Sequence, residues 1–138
     1  MSWTTRLLII ANRTAGSAEL ADALRSRATS SAVRATIVMP AVLGREADAS
    51  ARLEAVVEQL RADGIDAEGI LGDSDPVNAA LDVWDPRRFD EIIVCTLPPG
   101  ESTWLHIDLP HRLRRLTDAT VQHLVATPPE PAGVREPR

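Results

Sequence analysis

The chain has 138 residues, which suits one domain with a full hydrophobic core, and its 44% hydrophobic and 25% charged residues are typical of a globular protein. It carries 20 acidic and 15 basic residues, and this formal net charge of −5 repels phosphate backbones, so we expect no nucleic-acid partner. Every basic residue is arginine, and the lack of lysine excludes Walker-type phosphate binding and Schiff-base chemistry.

Five apolar runs predict β-strands. The first, Leu7 to Ala11, is uniformly apolar rather than alternating, which is typical of a strand covered on both faces in a parallel sheet. The third is interrupted by Asp66, Glu68 and Gly69, so we place it at a sheet edge. The predicted strands are Leu7 to Ala11, Ala35 to Met39, Ile65 to Leu71, Glu91 to Thr96 and Thr120 to Ala126.

Amphipathic segments between these runs predict helices, and their ends carry capping residues. Ser17 is suited to cap the first helix, Asp75 and Pro76 to begin the third, and Gly64 to end the second. The predicted helices extend from Ser17 to Ala28, Arg45 to Asp63, Pro76 to Trp84 and Pro110 to Leu116, with a short helical turn at Trp104 to Ile107. This alternation predicts an α/β three-layer sandwich, in which a five-stranded parallel sheet has helices on both faces.

Residues 1–126 are predicted to form this single domain, and residues 127–138 a proline-rich tail without fixed structure. The single cysteine, Cys95, excludes an internal disulfide framework and a cysteine-rich zinc site. The longest apolar run has only five residues, too few to cross a membrane, and MSWTTR at the N-terminus lacks the apolar stretch of a secretory signal. We therefore expect a cytoplasmic protein without a membrane partner.

The segment from Asp90 to Leu116 is the predicted ligand site, because ligands of open α/β sheets bind where the chain leaves the carboxyl end of a strand. The strand here runs into the break Pro98-Pro99-Gly100. Hydroxyl groups, an indole and a guanidinium follow, which suit a small anionic ligand. The candidate ligand-binding residues are Asn12, Thr96, Ser102, Thr103, Trp104 and Arg112.

Other side chains of this segment have two interpretations. Cys95 follows three apolar residues, which favours a small buried hydrophobe over a reactive thiol. His106, Asp108 and His111 have spacings that a metal permits, but no second cluster completes the shell, so surface roles or capping by Asp108 are favoured. Ser102 and His106 form the one local pair suited to nucleophilic catalysis, and nothing in the sequence orients the histidine, so we assign no catalytic residue.

The order of these segments resembles the universal stress protein family over residues 5 to 126. The stretches that carry the resemblance are IIANRTAGSAELADAL, READASARLEAVVEQLRADGID, ILGDSDPVNAAL, RRFDEIIVCTLPP and TDATVQHLVA. The resemblance implies the strand order 3-2-1-4-5 and a homodimer formed through the last strand.

Nucleotide-binding members of that family carry the motif Gly-x2-Gly-x9-Gly-Ser/Thr after the fourth strand, where glycines let the backbone approach phosphate. The motif positions fall here on Cys95, Pro98, Asp108 and Leu109, so none is kept. Pro98 has no N–H to donate, and Asp108 would repel phosphate. The family's acidic residue at the end of the first strand corresponds to Asn12, which keeps hydrogen-bonding ability without charge.

Three functions follow, in order of preference. The first is a regulatory or interaction module that does not bind ATP in the family's usual way and needs no cofactor. The second is binding of a nucleotide such as ATP or AMP, or of another small anion, at the altered loop. The third is a hydrolase or transferase that uses the same pocket.

Overall fold

The computed structural model describes residues 3–100 and 102–127, without the side chains of Leu105 and His106. From residue 128 onward, the predicted tail lies outside the described residues. The strands of the described part of the chain are β1 (Thr4–Ile10), β2 (Ala32–Pro40), β3 (Asp66–Gly72), β4 (Glu91–Thr96) and β5 (Val121–Val125). The helices are α1 (Ala18–Ala28), α2 (Glu46–Ala62), α3 (Pro76–Val83), α4 (Thr103–His106) and α5 (Leu109–Thr117).

The five strands form one parallel sheet in the order β3-β2-β1-β4-β5, which confirms the fold class. β3 lies at an edge, as its interrupted apolar run predicts. The ladder between β1 and β2 begins at Thr4 and Ala32, three residues before each predicted start. Backbone hydrogen bonds need no apolar side chain, so the ladder continues into polar positions that hydrophobicity alone does not mark.

Successive side chains of the central strands alternate between two hydrophobic clusters, one on each face of the sheet. Leu7 and Ile9 belong to the cluster that buries α1 and α2, whereas Leu8 and Ile10 belong to the cluster that buries α3 and α5. Helices therefore cover both faces, which accounts for the uniformly apolar β1. None of the helices in the described residues is long and apolar enough to span a membrane.

Three of the four residues predicted to begin or end a helix do so in the structure. The Ser17 hydroxyl accepts a hydrogen bond from the Leu20 amide at the start of α1, and the Asp75 carboxylate accepts from the Val77 amide at 2.8 Å at the start of α3. Gly64, with φ of +89°, follows α2 in the left-handed conformation that favours glycine. Asp108 differs, because it precedes α5 with φ of 55° and its side chain makes no capping hydrogen bond.

Candidate functional site

A cavity of about 250 Å³ lies at the carboxyl ends of β1 and β4. It is lined by residues 12–14 after β1, 95–97 at the end of β4 and 102–104 at the start of α4. The strand order reverses between β1 and β4, and this switch point is where open α/β sheets bind ligands. We call it the carboxyl-end cavity.

Five of the six predicted ligand-binding residues line this cavity. They are Asn12, Thr96, Ser102, Thr103 and Trp104. Arg112 does not line it, because α5 buries Leu109 and Leu113 against the sheet and leaves Arg112 exposed on a flanking part of the helix. The role of Arg112 in ligand binding therefore stays a prediction that this cavity does not support.

Arg13 supplies the cation that Arg112 was expected to provide. It is exposed and is the one basic residue among the described residues that line the cavity. The adjacent Asn12 accepts a hydrogen bond through its side-chain oxygen from Nη2 of Arg52, at 3.1 Å. Arg13 directly follows Asn12 in the same turn, and that adjacency was the signal that sequence reasoning missed.

A shallower cavity of about 310 Å³ adjoins the first and shares Asn12 and Arg13 with it. Arg52 and Gln59 of α2 and Met39 of β2 also line it. The two guanidinium groups therefore face one continuous depression, and no carboxylate lies among its described lining residues. This charge distribution favours an anionic ligand.

The turn after β1 is fixed to the end of β4 by a buried hydrogen bond. The Thr14 hydroxyl donates to the carbonyl oxygen of Cys95 at 3.0 Å, and both residues are buried. Within the turn, the Ala15 amide donates to the Asn12 carbonyl at 3.1 Å. The position of Arg13 is therefore set by a rigid turn, which reduces the entropy lost when a ligand binds.

Cys95 is buried, with 1% of its surface exposed, and its sulfur lies 3.9 Å from the Thr14 carbonyl oxygen. Burial raises the pKa of its thiol, so the thiol stays protonated at neutral pH. A reactive cysteine needs a lowered thiol pKa, because the thiolate is the nucleophile. The interpretation of Cys95 as a small buried hydrophobe is confirmed.

Iodoacetamide is expected to modify Cys95 of the native protein about a hundredfold more slowly, or slower still, than Cys95 of the unfolded chain, because alkylation needs an accessible thiolate. Mass spectrometry of samples alkylated at pH 7.5 with and without concentrated urea measures both rates. The urea sample is the internal control for reagent activity. Equal rates in the two samples would show that the thiol reaches solvent in the native state.

Thr96 is buried, and its hydroxyl makes a hydrogen bond within the sheet. Its Oγ1 atom lies 2.7 Å from Nε2 of His123 on β5. Burial, and then the positive charge of Arg114, lower the pKa of His123, so the ring is neutral at pH 7. The Thr96 carbonyl also accepts from the Ala126 amide at 2.9 Å. Thr96 thus positions β5 beside the cavity.

The backbone after β4 differs from a phosphate-binding loop. α4 has only four residues, and the first turn of α5 contains Pro110, which removes one of the N–H groups a helix start offers to an anion. Gly100, with φ of +93°, turns the chain, and the preceding Pro98 has no N–H. Pro98 and Pro110 therefore leave fewer backbone amides for an anion here than a glycine-rich loop offers.

The chain matches no protein-family model. No curated protein matches it either.

The Ser102–His106 pair and the metal-compatible spacing of His106, Asp108 and His111, neither of which was assigned as a site, both include His106, whose side chain lies outside the described part of the structure. Among the described residues, no group of three or more histidine, cysteine, aspartate or glutamate side chains is arranged to hold a metal ion. Ser102 is buried beside the cavity.

Proposed function

We propose that this chain is a universal-stress-protein-like regulatory or interaction module that holds a small anionic ligand in the carboxyl-end cavity and does not bind ATP in the family's usual way. One observation carries the proposal. Arg13 faces the cavity, and within the described part of the chain its guanidinium makes no hydrogen bond or ion pair. An exposed guanidinium held by a rigid turn is suited to a bidentate contact with a carboxylate or phosphate.

The walls of the cavity support a compact ligand with a flat apolar part. Trp104 is half-buried and Leu97 lies across from the turn after β1. The volume of about 250 Å³ is below the roughly 300–1,000 Å³ of pockets that bury drug-sized ligands. A planar molecule with one acidic group would place its ring near Trp104 and its charge near Arg13.

AMP and benzoate are the probes for this proposal, with ATP as the comparison, each with and without Mg²⁺. We expect AMP or benzoate to raise the melting temperature, since a ligand of the native state raises apparent stability, and ATP to have no effect. Arg13→Ala is expected to weaken the affinity measured by isothermal titration calorimetry about tenfold or more.

Arg112→Ala is the matched control, because it removes one arginine charge outside the cavity and is expected to leave the affinity unchanged. Equal weakening by both variants would mean that overall charge, rather than the cavity, attracts the probe. No stabilisation by either probe, or an ATP shift that survives Arg13→Ala, would contradict the proposal.

The proposal includes a homodimer formed through β5 and a cytoplasmic location. β5 is at an edge of the sheet, and Val125 on it is exposed, so both backbone and apolar groups are available to a second copy. Native mass spectrometry of the purified protein would report the mass of the assembly and of any retained ligand. A monomer at micromolar concentration would contradict the dimer.

A further inference from the structure

A second cleft, of about 190 Å³, lies at the amino ends of β1, β2 and β3, at the opposite end of the sheet from the carboxyl-end cavity. Four arginines face it. The polar and charged residues that line it are Arg6, Arg34, Arg87, Arg88, Thr36 and Glu68. We call it the amino-end cleft, and it groups four of the 15 arginines of a chain whose formal net charge is −5.

Strand register brings two of the arginines together. Arg6 of β1 is paired with Arg34 of β2, and in the next row on the same face Thr36 is paired with Glu68 of β3. Side chains at alternate positions share a face, so all four project on the α3 side of the sheet. Two like charges on adjacent strands repel each other unless anions lie between or beside them.

The cleft exists because α3 is short. It has eight residues and ends at Val83, so a turn rather than a further helical turn covers the amino ends of the strands. The amides of Arg88 and Phe89 donate to the Asp85 carbonyl at 2.9 and 3.0 Å, and the buried Phe89 ring stacks on Trp84 at a centroid distance of 6.1 Å. The backbone that carries Arg87 and Arg88 is therefore well ordered.

Arg6 is the most fully paired of the four arginines. Its Nη2 atom lies 2.9 Å from Oδ1 of Asp90, and Nη1 donates to the Arg87 carbonyl at 2.8 Å. The hydrogen bond from Arg6 lowers the pKa of Asp90, so this carboxylate remains ionised and engaged. Arg6 therefore forms a fixed wall of the cleft.

The guanidinium groups of the other three arginines keep N–H groups that make no hydrogen bond within the described residues. Arg34 lies 4.0 Å from the nearest carboxylate oxygens of both Asp66 and Glu68, beyond hydrogen-bond distance. The Arg87 guanidinium, 3.6 Å from the Asp85 carboxylate, is 91% exposed. Arg88 lies 5.9 Å from the centroid of the Phe89 ring and has no ion pair within the described residues.

Glu68 is the one carboxylate among the described residues that line the cleft, and one of its oxygens already accepts a hydrogen bond. Its Oε2 atom accepts a hydrogen bond from the buried Thr36 hydroxyl at 3.1 Å. Three of the four arginines that line the cleft also face carboxylates outside the lining, at Asp66, Asp85 and Asp90.

We propose that the amino-end cleft binds a phosphoryl dianion, either inorganic phosphate or the phosphate of a small ester. Guanidinium groups from three separate segments surround the cleft, and a tetrahedral anion has enough oxygens to accept from several of them at once. A carboxylate has only two oxygens and one charge. A volume of about 190 Å³ suits a phosphoryl group and its immediate substituent. This site is independent of the proposed ligand of the carboxyl-end cavity.

Isothermal titration with inorganic phosphate and with phenyl phosphate, at constant ionic strength set with chloride, tests the site. In an Arg13→Ala background, which removes the anion contact proposed for the carboxyl-end cavity, we expect saturable binding of one phosphoryl group per chain. Arg34→Gln combined with Arg88→Gln is expected to weaken it at least tenfold, while Arg88→Lys, which keeps the charge but loses the planar fork, gives an intermediate loss.

Arg112→Gln combined with Arg115→Gln, in the same Arg13→Ala background, removes the same charge from α5 and is the matched control. It is expected to bind as Arg13→Ala alone does. Circular dichroism of each variant reports whether the fold is kept.

Binding of phosphate but not phenyl phosphate would identify the free ion as the ligand class, and binding of the ester would identify a phosphorylated small molecule. Absence of saturable binding of both probes would overturn the proposal. Equal weakening in the α5 control would also overturn it, because it would show attraction by net charge alone.

Discussion

Replacing Ile93 with alanine is expected to lower the free energy of unfolding by about 2–5 kcal/mol. Ile93 is fully buried in β4, between β1 and β5, in the cluster that α1 and α2 cover. The substitution removes three carbon atoms and leaves a cavity that neighbouring β-strands cannot close, because their backbone ladders hold them in place. For a chain of this size the melting temperature should fall by roughly 6–15 °C.

Urea denaturation followed by circular dichroism measures this change, and Leu43→Ala is the control. Leu43 is 83% exposed in the loop before α2, so the same kind of truncation there should change stability by less than about 0.5 kcal/mol. Similar losses at the two positions would show that Ile93 is not in a close-packed core. A large change in the urea dependence of Ile93→Ala would instead indicate an altered unfolded state.

Gly72→Ala is expected to destabilise the protein by about 1–3 kcal/mol, the usual range for overpacking. A Cβ atom at Gly72 would lie 2.9 Å from Cβ of Ala79 in α3 and 3.2 Å from Cγ1 of Val38 in β2. The Gly72 carbonyl also accepts from the Ala41 amide at 3.1 Å, so this backbone is not free to move away. The absence of a side chain at Gly72 is what lets α3 pack so closely on β3.

A double-mutant cycle with Ala79→Gly identifies the contact responsible. Ala79→Gly alone should cost about 1 kcal/mol through helix propensity, and it removes the methyl group that the new Cβ would meet. The double variant should therefore be more stable than the sum of the two single effects indicates. Strict additivity in urea denaturation would assign the cost of Gly72→Ala to something other than this contact.

Local chemistry was sufficient to predict most of the architecture. The uniformly apolar Leu7 to Ala11 indicated a parallel sheet, and Ser17, Gly64 and Asp75 marked helix ends, because each of these features depends on residues within a few positions. The strand order implied by the family resemblance is confirmed.

The features that escaped prediction depend on residues far apart in the chain. Thr14 bonds to Cys95 across 81 positions, and Arg6 bonds to Asp90 across 84. The first of these contacts fixes the residue that follows Arg13 in the turn after β1. Residues that are separated by this many positions meet only after strand register is established, and no local pattern encodes register across a crossover.

The prediction that Asp108 caps α5 was wrong for a related reason. Its residue type and its place before Pro110 favour a cap, but the chain arrives from α4 in a left-handed conformation that turns its side chain away from the helix amides. The direction of arrival depends on how α4 and α5 pack, so capping chemistry alone was not enough.

β1 extends from the amino-end cleft to the carboxyl-end cavity, with Arg6 near one opening and Asn12 at the other. Arg6 and Asn12 are six positions apart along extended chain, which separates the two openings by roughly 20 Å. β1 is paired on both sides, and its residues from Leu7 to Ile10 are buried on both faces, which favours one fixed arrangement of the strand. The coupling free energy between the two sites should therefore be close to zero, and the chain would report two chemical signals additively rather than cooperatively.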